Sequence, residues 1–194
     1  MTETDANGCR ESRFAKLFGV DLALTASAPG RLEVLGNHTD YNLGLTLSCA
    51  VALRCYATIA PLDQPEVRLV STAFDAQPTV YPLDQLAAPK GHWTNYVLGL
   101  VTTLQQRGHD LPGFAMLIDS QVPGSAGLSS SSALEMSALT AIAALFRLDL
   151  PAIEYAKIGQ HVESTVVGAQ TGLLDQLSAL LGQRDQLLGI DFKT

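Results

Sequence analysis

The strongest constraint on the fold of this chain is a glycine- and serine-rich stretch that leads directly into an apolar segment. The stretch reads Pro123-Gly124-Ser125-Ala126-Gly127-Leu128-Ser129-Ser130-Ser131-Ser132-Ala133. Apolar residues then recur at helical spacing, at Leu134, Ala138, Ile142 and Leu145. We therefore predict a helix over residues 132–146 whose N-terminus opens onto the loop.

A junction of this kind is suited to an anionic ligand. Glycine lets backbone N–H groups approach a ligand, and the N-terminus of a helix carries the positive end of the helix dipole. We expect an oligophosphate here, with a flexible Gly/Ser linker as the alternative. The Gly-Lys-Ser/Thr ending of a P-loop is missing, so groups elsewhere in the chain must neutralise the phosphates.

Composition indicates a globular, cytoplasmic protein. Of 194 residues, 47% are hydrophobic and 16% are charged, which excludes a disordered chain, and the net charge of −7 argues against a nucleic-acid partner. The three cysteines (Cys9, Cys49 and Cys55) lack metal-ligand spacing, and their odd number indicates reduced thiols. Charges within residues 1–18 exclude a signal peptide, and Glu135 interrupts the best candidate for a membrane span.

The hydrophobic pattern predicts an α+β fold in which most strands precede most helices. Strands are predicted at 21–28, 31–36, 46–59, 67–71, 114–118 and 187–192, and helices around 14–18 and at 93–106, 132–146, 151–167 and 175–181. We expect Pro29-Gly30 to turn the chain, residues 72–92 to form a loop, and strand 67–71 to pair with strand 46–59. Residues 1–20 are assigned as a tail with a short helix. Residues 21–194 are assigned as one domain, cut from a larger fold because the last strand has no following element.

Two further segments carry candidate functional residues. His38, Asp40 and Asn42 lie within five residues, a density of donors and acceptors that suits a polyhydroxylated ligand. The alternative is a solvated turn. Glu163 and Asp175 lie on consecutive predicted helices, so one carboxylate can bind Mg²⁺ while the other orients a hydroxyl.

Each of these acidic residues also has a structural interpretation. Glu163 can be a solvated helix residue, and Asp175 can be an N-cap. Arg31, at the start of a strand, can be a surface ion-pair partner.

Together these segments resemble the GHMP family of small-molecule kinases, and within it the galactokinases. Residues 29–42, Pro-Gly-Arg-Leu-Glu-Val-Leu-Gly-Asn-His-Thr-Asp-Tyr-Asn, are similar to the galactokinase signature Gly-Arg-Val-Asn-Leu-Ile-Gly-Glu-His-Thr-Asp-Tyr-Asn. Residues 123–133 are similar to the phosphate loop of the family. Residues 172–176, Gly-Leu-Leu-Asp-Gln, resemble the segment Gly-x-Met-Asp-Gln, and Trp93-x-Asn95-Tyr96 also resembles the family.

The resemblance implies a ribosomal protein S5 domain 2-like N-terminal lobe of a two-lobe kinase, acting on the C1 hydroxyl of galactose with ATP and Mg²⁺. It implies that Asp175 is the catalytic carboxylate and that Arg31 polarises the hydroxyl. Residues implied to bind the sugar are Asn37, His38, Asp40 and Gly172. Residues implied to bind ATP are Gly124, Ser125, Ala126, Gly127, Leu128, Ser129, Ser130 and Ser131, with Trp93 near the adenine. Ser131 and Glu163 are implied to hold Mg²⁺.

The chain departs from the family pattern at two positions and in length. Asn37 stands where galactokinases usually have Glu, and Glu33 stands where they have Asn, so galactose, an amino sugar, a uronic acid and another aldose all stay open. The second lobe and its third Gly-rich motif are missing, so we expect weak or no turnover from this chain alone. A non-catalytic sugar and ATP-binding regulator and an inactive fragment are the alternatives, although Arg31, Glu163 and Asp175 argue against a degenerate sensor.

Overall fold

Alternating strands and helices cover most of the chain. The computed structural model describes residues 3–20, 22–36, 38–169 and 171–193, with side chains from residue 8 onward. The strands are β1 (Leu24–Leu35), β2 (Leu45–Pro61), β3 (Glu66–Ser71), β4 (Thr79–Pro82), β5 (Phe114–Ser120) and β6 (Leu188–Asp191). The helices are α1 (Glu3–Phe18), α2 (Thr94–Gln106), α3 (Ser130–Phe146), α4 (Ala152–Val162) and α5 (Leu174–Leu181). The predicted α+β class is confirmed.

The strands form one mixed sheet in the order β1-β2-β5-β3-β4, with β6 paired to the first residues of β2. The predicted pairing of residues 67–71 with 46–59 is wrong, because β5 lies between these strands and is parallel to β3. Gly113, just before β5, makes this insertion possible. A Cβ at Gly113 would lie 2.8 Å from the backbone oxygen of Glu66 and closer still to that of Gln64. Only glycine lets the β2–β3 connection cross here.

The predicted turn at Pro29-Gly30 is also wrong, since both residues are buried within the continuous strand β1. The register against β2 shifts between Pro29 and Arg31, so the chain makes a bulge instead of reversing. A Cβ at Gly30 would lie 2.7 Å from the backbone oxygen of Leu128, so the glycine permits close approach of the Gly/Ser loop.

Two smaller differences concern segments near the candidate site. The predicted loop over 72–92 contains the short strand β4, which pairs with β3. The helix predicted to reach residue 167 ends as an α-helix at Val162 and continues as a single wider turn, Glu163–Val167, before Gly168. Such a wide turn re-aims the side chains at a helix end, and π-turns are frequent at functional sites.

The core lies mainly between the sheet and helices α2 to α5, and α3 is its central helix, with Ala133, Met136, Leu139 and Ile142 fully buried. Helix α1 covers the other face through Phe14, while Arg10 packs on the Tyr56 ring and forms an ion pair with Asp119 at 2.8 Å. All three cysteines are free thiols. Among the described residues, no helix is both long and apolar enough to cross a membrane.

Candidate active site

The Gly/Ser loop joins the end of β5 to the first turn of α3. Ser125, Gly127 and Ser129 all have positive φ angles (58°, 71° and 50°), so the loop curls tightly before the helix begins at Ser130. The side chain of Leu128 packs against the core and anchors the loop. The first-turn N–H groups of a helix have no partners within that helix, so the junction of loop and helix presents backbone donors.

A cleft of about 490 Å³ opens beside this loop. Its lining includes Gly124, Ser130 and Ser131 from the loop and the start of α3, together with the aromatic residues Phe74 and Trp93. Phe74 is 72% exposed although it is aromatic. The cleft is therefore lined both by the start of a helix and by aromatic rings.

Hydrogen bonds fix the aromatic end of this cleft. The indole Nε1 of Trp93 donates to Oδ2 of Asp75 at 3.0 Å, and the backbone N–H of Ser71 donates to the same oxygen at 2.9 Å. Sequence reasoning missed Phe74 and Asp75 because both lie in the segment predicted to be a featureless loop.

The centre of the site is the carboxylate of Asp175, in the first turn of α5. Arg31 contacts Oδ1 through Nε at 2.7 Å and through a terminal nitrogen at 2.6 Å. The hydroxyl of Ser129 donates to Oδ2. The N-cap interpretation of Asp175 is therefore wrong, because the carboxylate is directed to groups 46 and 144 positions away in the sequence.

Arg31 also ties this carboxylate to the Gly/Ser loop. Its other terminal nitrogen donates to the backbone oxygen of Gly127 at 3.0 Å, and its backbone N–H donates to that of Leu128 at 3.1 Å. The Arg31 and Asp175 side chains are 13% and 20% exposed, so the ion pair faces solvent on one side only. Arg31 thus places a guanidinium against a loop that has no cationic side chain of its own.

The polar loop after β1, residues 38–44, contacts the residue that precedes Asp175. Asp40 Oδ2 lies 3.4 Å from the backbone nitrogen of Leu174, and the backbone of Gly172 lies directly against this carboxylate. His38 adopts a positive φ of 63° and bonds the Tyr41 hydroxyl, while Asn42 Nδ2 donates to the His38 carbonyl at 2.7 Å. The structure brings Asp40 and Gly172 together; Asn37 lies outside the described residues.

Glu163 is only 2% exposed, so its interpretation as a solvated helix residue is wrong. Thr171 and Gln176 donate to its Oε2 at 2.8 and 2.9 Å. No side chain among the described residues donates to Oε1. This carboxylate is next to the segment that carries Asp175, because Gln176 follows Asp175 directly.

Glu135 is a buried acid that sequence reasoning did not assign to the site. It is fully buried in α3, and neither of its oxygens, nor Oε1 of Gln176, has a hydrogen-bond partner among the described residues. Burial, and then the charge of Glu163, raise the pKa of Glu135 well above its ordinary value of 4.5. The sequence feature that could have identified Glu135 is that it is the single acidic residue in the apolar segment that forms α3.

Comparison with known proteins identifies two family matches and several related structures. The family described as GHMP kinases N terminal domain matches residues 95–183, and the galactokinase galactose-binding signature matches residues 12–61. A galactokinase from Lactococcus lactis, solved in complex with galactose, is 29% identical with a TM-score of 0.92. The match covers 97% of this chain and 50% of that one.

More distant kinases share the fold. A Methanococcus jannaschii mevalonate kinase is 21% identical, with a TM-score of 0.72 over 89% of this chain and 55% of that chain. A Streptococcus pneumoniae phosphomevalonate kinase, solved with phosphomevalonate and AMPPNP, is 19% identical, with a TM-score of 0.63 over 79% of this chain and 46% of that chain. The chain spans about half the length of these solved proteins. Residues 95–183 match the N-terminal domain of the GHMP kinases and residues 12–61 match the galactokinase galactose-binding signature, so the chain resembles the galactokinases of the GHMP kinase family through their N-terminal domain.

Proposed function

We propose that this chain is the N-terminal lobe of a galactokinase-type enzyme that transfers the terminal phosphate of ATP to the C1 hydroxyl of galactose. One observation carries the proposal. Three segments distant in sequence meet at Leu174 and Asp175: the Gly/Ser loop through Ser129 and the β1 segment through Arg31 contact the Asp175 carboxylate, and the polar loop contacts the backbone of Leu174 through Asp40. A phosphate-binding loop and a sugar-binding loop that both contact the segment carrying one carboxylate are the parts that phosphoryl transfer to a sugar requires.

Asp175 acts on the acceptor hydroxyl. Its carboxylate accepts the hydroxyl proton as the bond from the C1 oxygen to the terminal phosphorus forms and the bond from that phosphorus to the departing ADP breaks. Arg31 keeps this carboxylate oriented through two contacts to Oδ1. The guanidinium also places positive charge beside the oxygens on which negative charge accumulates in the transition state.

The Gly/Ser loop holds the triphosphate, and the aromatic cleft holds the base. Backbone N–H groups at the start of α3 face the phosphates, and Trp93, fixed by Asp75, lies against the adenine. This arrangement supplies binding and orientation without a P-loop lysine, because Arg31 supplies the positive charge.

Ser131 and Glu163, whose Oε1 accepts from no side chain among the described residues, would hold Mg²⁺. They offer one hydroxyl and one carboxylate oxygen, which fits an ion that takes few protein ligands when phosphates provide others. The described residues hold no group of three or more His, Cys, Asp or Glu side chains that binds a metal alone. When bound, Mg²⁺ neutralises the charge of the phosphates during transfer.

Asp40 and His38 bind the hydroxyls of the sugar. Asp40 is held by the backbone at Leu174 and Gly172, so its carboxylate presents a fixed acceptor. Asn37 stands where the galactokinase signature has an acid, which makes the choice of sugar the part of the proposal to test most carefully.

The test is a single-turnover assay in the presence of Mg²⁺, with the chain in molar excess over ATP. The product is identified by ³¹P NMR. We expect slow formation of galactose 1-phosphate, in amounts equal to the ADP released. Methyl β-galactoside has no free C1 hydroxyl, so no phosphorylated sugar is expected with it. Asp175→Asn keeps the shape of the side chain and removes the proton acceptor, so it should abolish transfer.

Other outcomes identify the alternatives. Phosphorylation of methyl β-galactoside would contradict the C1 assignment. Faster transfer to glucose, galactosamine or galacturonate than to galactose would change the substrate. Binding of galactose and ATP without any transfer, even when the C-terminal lobe of a galactokinase is added in trans, would favour a regulator over a kinase.

A further inference from the structure

Ser129 occupies an unusual position for a serine at the start of a helix. It is the N-cap residue of α3, yet its side chain caps no backbone N–H group of the helix. It also has the left-handed backbone conformation (φ 50°, ψ 54°), which is uncommon for a residue other than glycine. An N-cap serine normally has an extended backbone and caps the helix with its hydroxyl.

The hydroxyl of Ser129 donates to Asp175 instead. It reaches Oδ2, whereas Arg31 holds Oδ1. Both oxygens of the proposed catalytic carboxylate are therefore engaged by side chains of the protein itself. The oxygen that Ser129 occupies is the one that Arg31 leaves available to an incoming sugar hydroxyl.

Ser129 also belongs to the loop proposed to bind phosphate. The preceding residues of that loop are tied to Arg31 by the carbonyls of Gly127 and Leu128. A triphosphate in this loop presents several anionic oxygens close to a serine hydroxyl, and charged phosphate oxygens are strong acceptors. Carboxylate and phosphate then compete for the same O–H donor.

We infer that Ser129 is a positioning residue that couples nucleotide binding to sugar binding. Without nucleotide its hydroxyl holds Oδ2 of Asp175, and with nucleotide it turns to a phosphate oxygen and releases Oδ2 to accept the C1 hydroxyl. Nucleotide therefore strengthens galactose binding, and by linkage galactose strengthens nucleotide binding by the same factor. This inference rests on the proposed function, since it needs both ligands at this site.

The test is isothermal titration of galactose into the chain, with and without a non-hydrolysable ATP analogue and Mg²⁺. For the unmodified chain we expect the analogue to lower the Kd of galactose about fivefold or more. Ser129→Gly is the informative variant because glycine tolerates the positive φ and lacks the CH₂OH group that reaches Asp175. It should bind galactose without nucleotide more tightly than the unmodified chain does, and the analogue should then change that Kd less than twofold.

Arg147→Gly is the matched control. Arg147 has nearly the same backbone conformation (φ 56°) at the other end of α3, so the change relieves the same kind of strain away from the site. The ratio of its galactose Kd without the analogue to that with the analogue should equal the ratio for the unmodified chain. Equal coupling in Ser129→Gly and the unmodified chain, or no coupling in the unmodified chain, would refute the role of Ser129. A folded chain that binds no galactose would instead refute the proposed function, and this inference with it.

Discussion

Replacing Gly172 by alanine provides a direct test of the sugar side of the site. A Cβ at Gly172 would lie 2.7 Å from Oδ1 of Asp40 and closer still to its Cγ and Oδ2. Atoms in folded proteins do not approach this closely, so the carboxylate has to move by more than about 1 Å. That movement breaks the contact between Oδ2 and the backbone N–H of Leu174, which is already long at 3.4 Å.

The expected magnitude follows from the loss of one charged hydrogen bond to the sugar. Such a bond contributes about 1.5–3 kcal/mol, and binding sites require their groups within roughly 0.5 Å of the productive position. Converted at about 1.4 kcal/mol per factor of ten, Gly172→Ala should raise the Kd of galactose by about 10- to 150-fold.

Isothermal titration with galactose measures this effect, and Gly8→Ala serves as a matched glycine replacement. Gly8 lies in α1 with no atom within 4 Å of its added Cβ, so that variant should keep the galactose Kd and gain about 0.5–1 kcal/mol of stability. Gly172→Ala should have no further effect on galactose binding in an Asp40→Ala background, where the clash is gone. A Kd for Gly172→Ala within threefold of the unmodified chain would refute the reasoning.

Three further predictions concern the carboxylate, the buried acid and the nucleotide cleft. A lysine at position 31 cannot make the two contacts to Asp175 and also the hydrogen bond to Gly127. Arg31→Lys should therefore lower the single-turnover rate about 100-fold or more. A decrease of less than fivefold would contradict the role of Arg31. Because burial raises the pKa of Glu135, the unfolded chain loses this proton first as pH rises above 4.5, and the native state loses stability until its raised pKa is reached. The free energy of unfolding of Glu135→Gln, relative to that of the unmodified chain, should therefore increase with pH, by about 1.4 kcal/mol for each unit by which burial raises the Glu135 pKa. Urea unfolding of both proteins at pH 5 and pH 8 measures this increase. Trp93→Ala should weaken ATP binding about tenfold or more and leave galactose binding without nucleotide unchanged; titration calorimetry with each ligand distinguishes this from general unfolding.

The sequence predicted local features well because they depend on short-range chemistry. The serines before an apolar helical pattern correctly indicated α3 and its loop, and the β-branched run correctly indicated β2. The strand order was not predictable in this way. Insertion of β5 between β2 and β3 depends on a backbone crossing at Gly113, which no periodicity records.

The candidate site likewise combines local features that the sequence predicts with long-range contacts that it does not predict. The residue types of Arg31, Asp40 and Asp175 suggested their chemistry, but the resemblance was needed to relate them, because Arg31 and Asp175 lie 144 positions apart. The turned hydroxyl of Ser129 was not foreseen, since an N-cap serine is expected to cap its own helix. Glu135 was noticed only as an interruption, and its burial beside Glu163 emerges from the packing of α3.

The most direct measurement of the central claim is a crystal structure of the chain with galactose and a non-hydrolysable ATP analogue. We predict that the C1 hydroxyl lies within about 2.6–3.2 Å of an Asp175 oxygen, with the terminal phosphate held by the Gly/Ser loop on the far side of that hydroxyl. Galactose bound at Asp40 with a different hydroxyl facing Asp175, or the analogue bound away from residues 124–131, would contradict it.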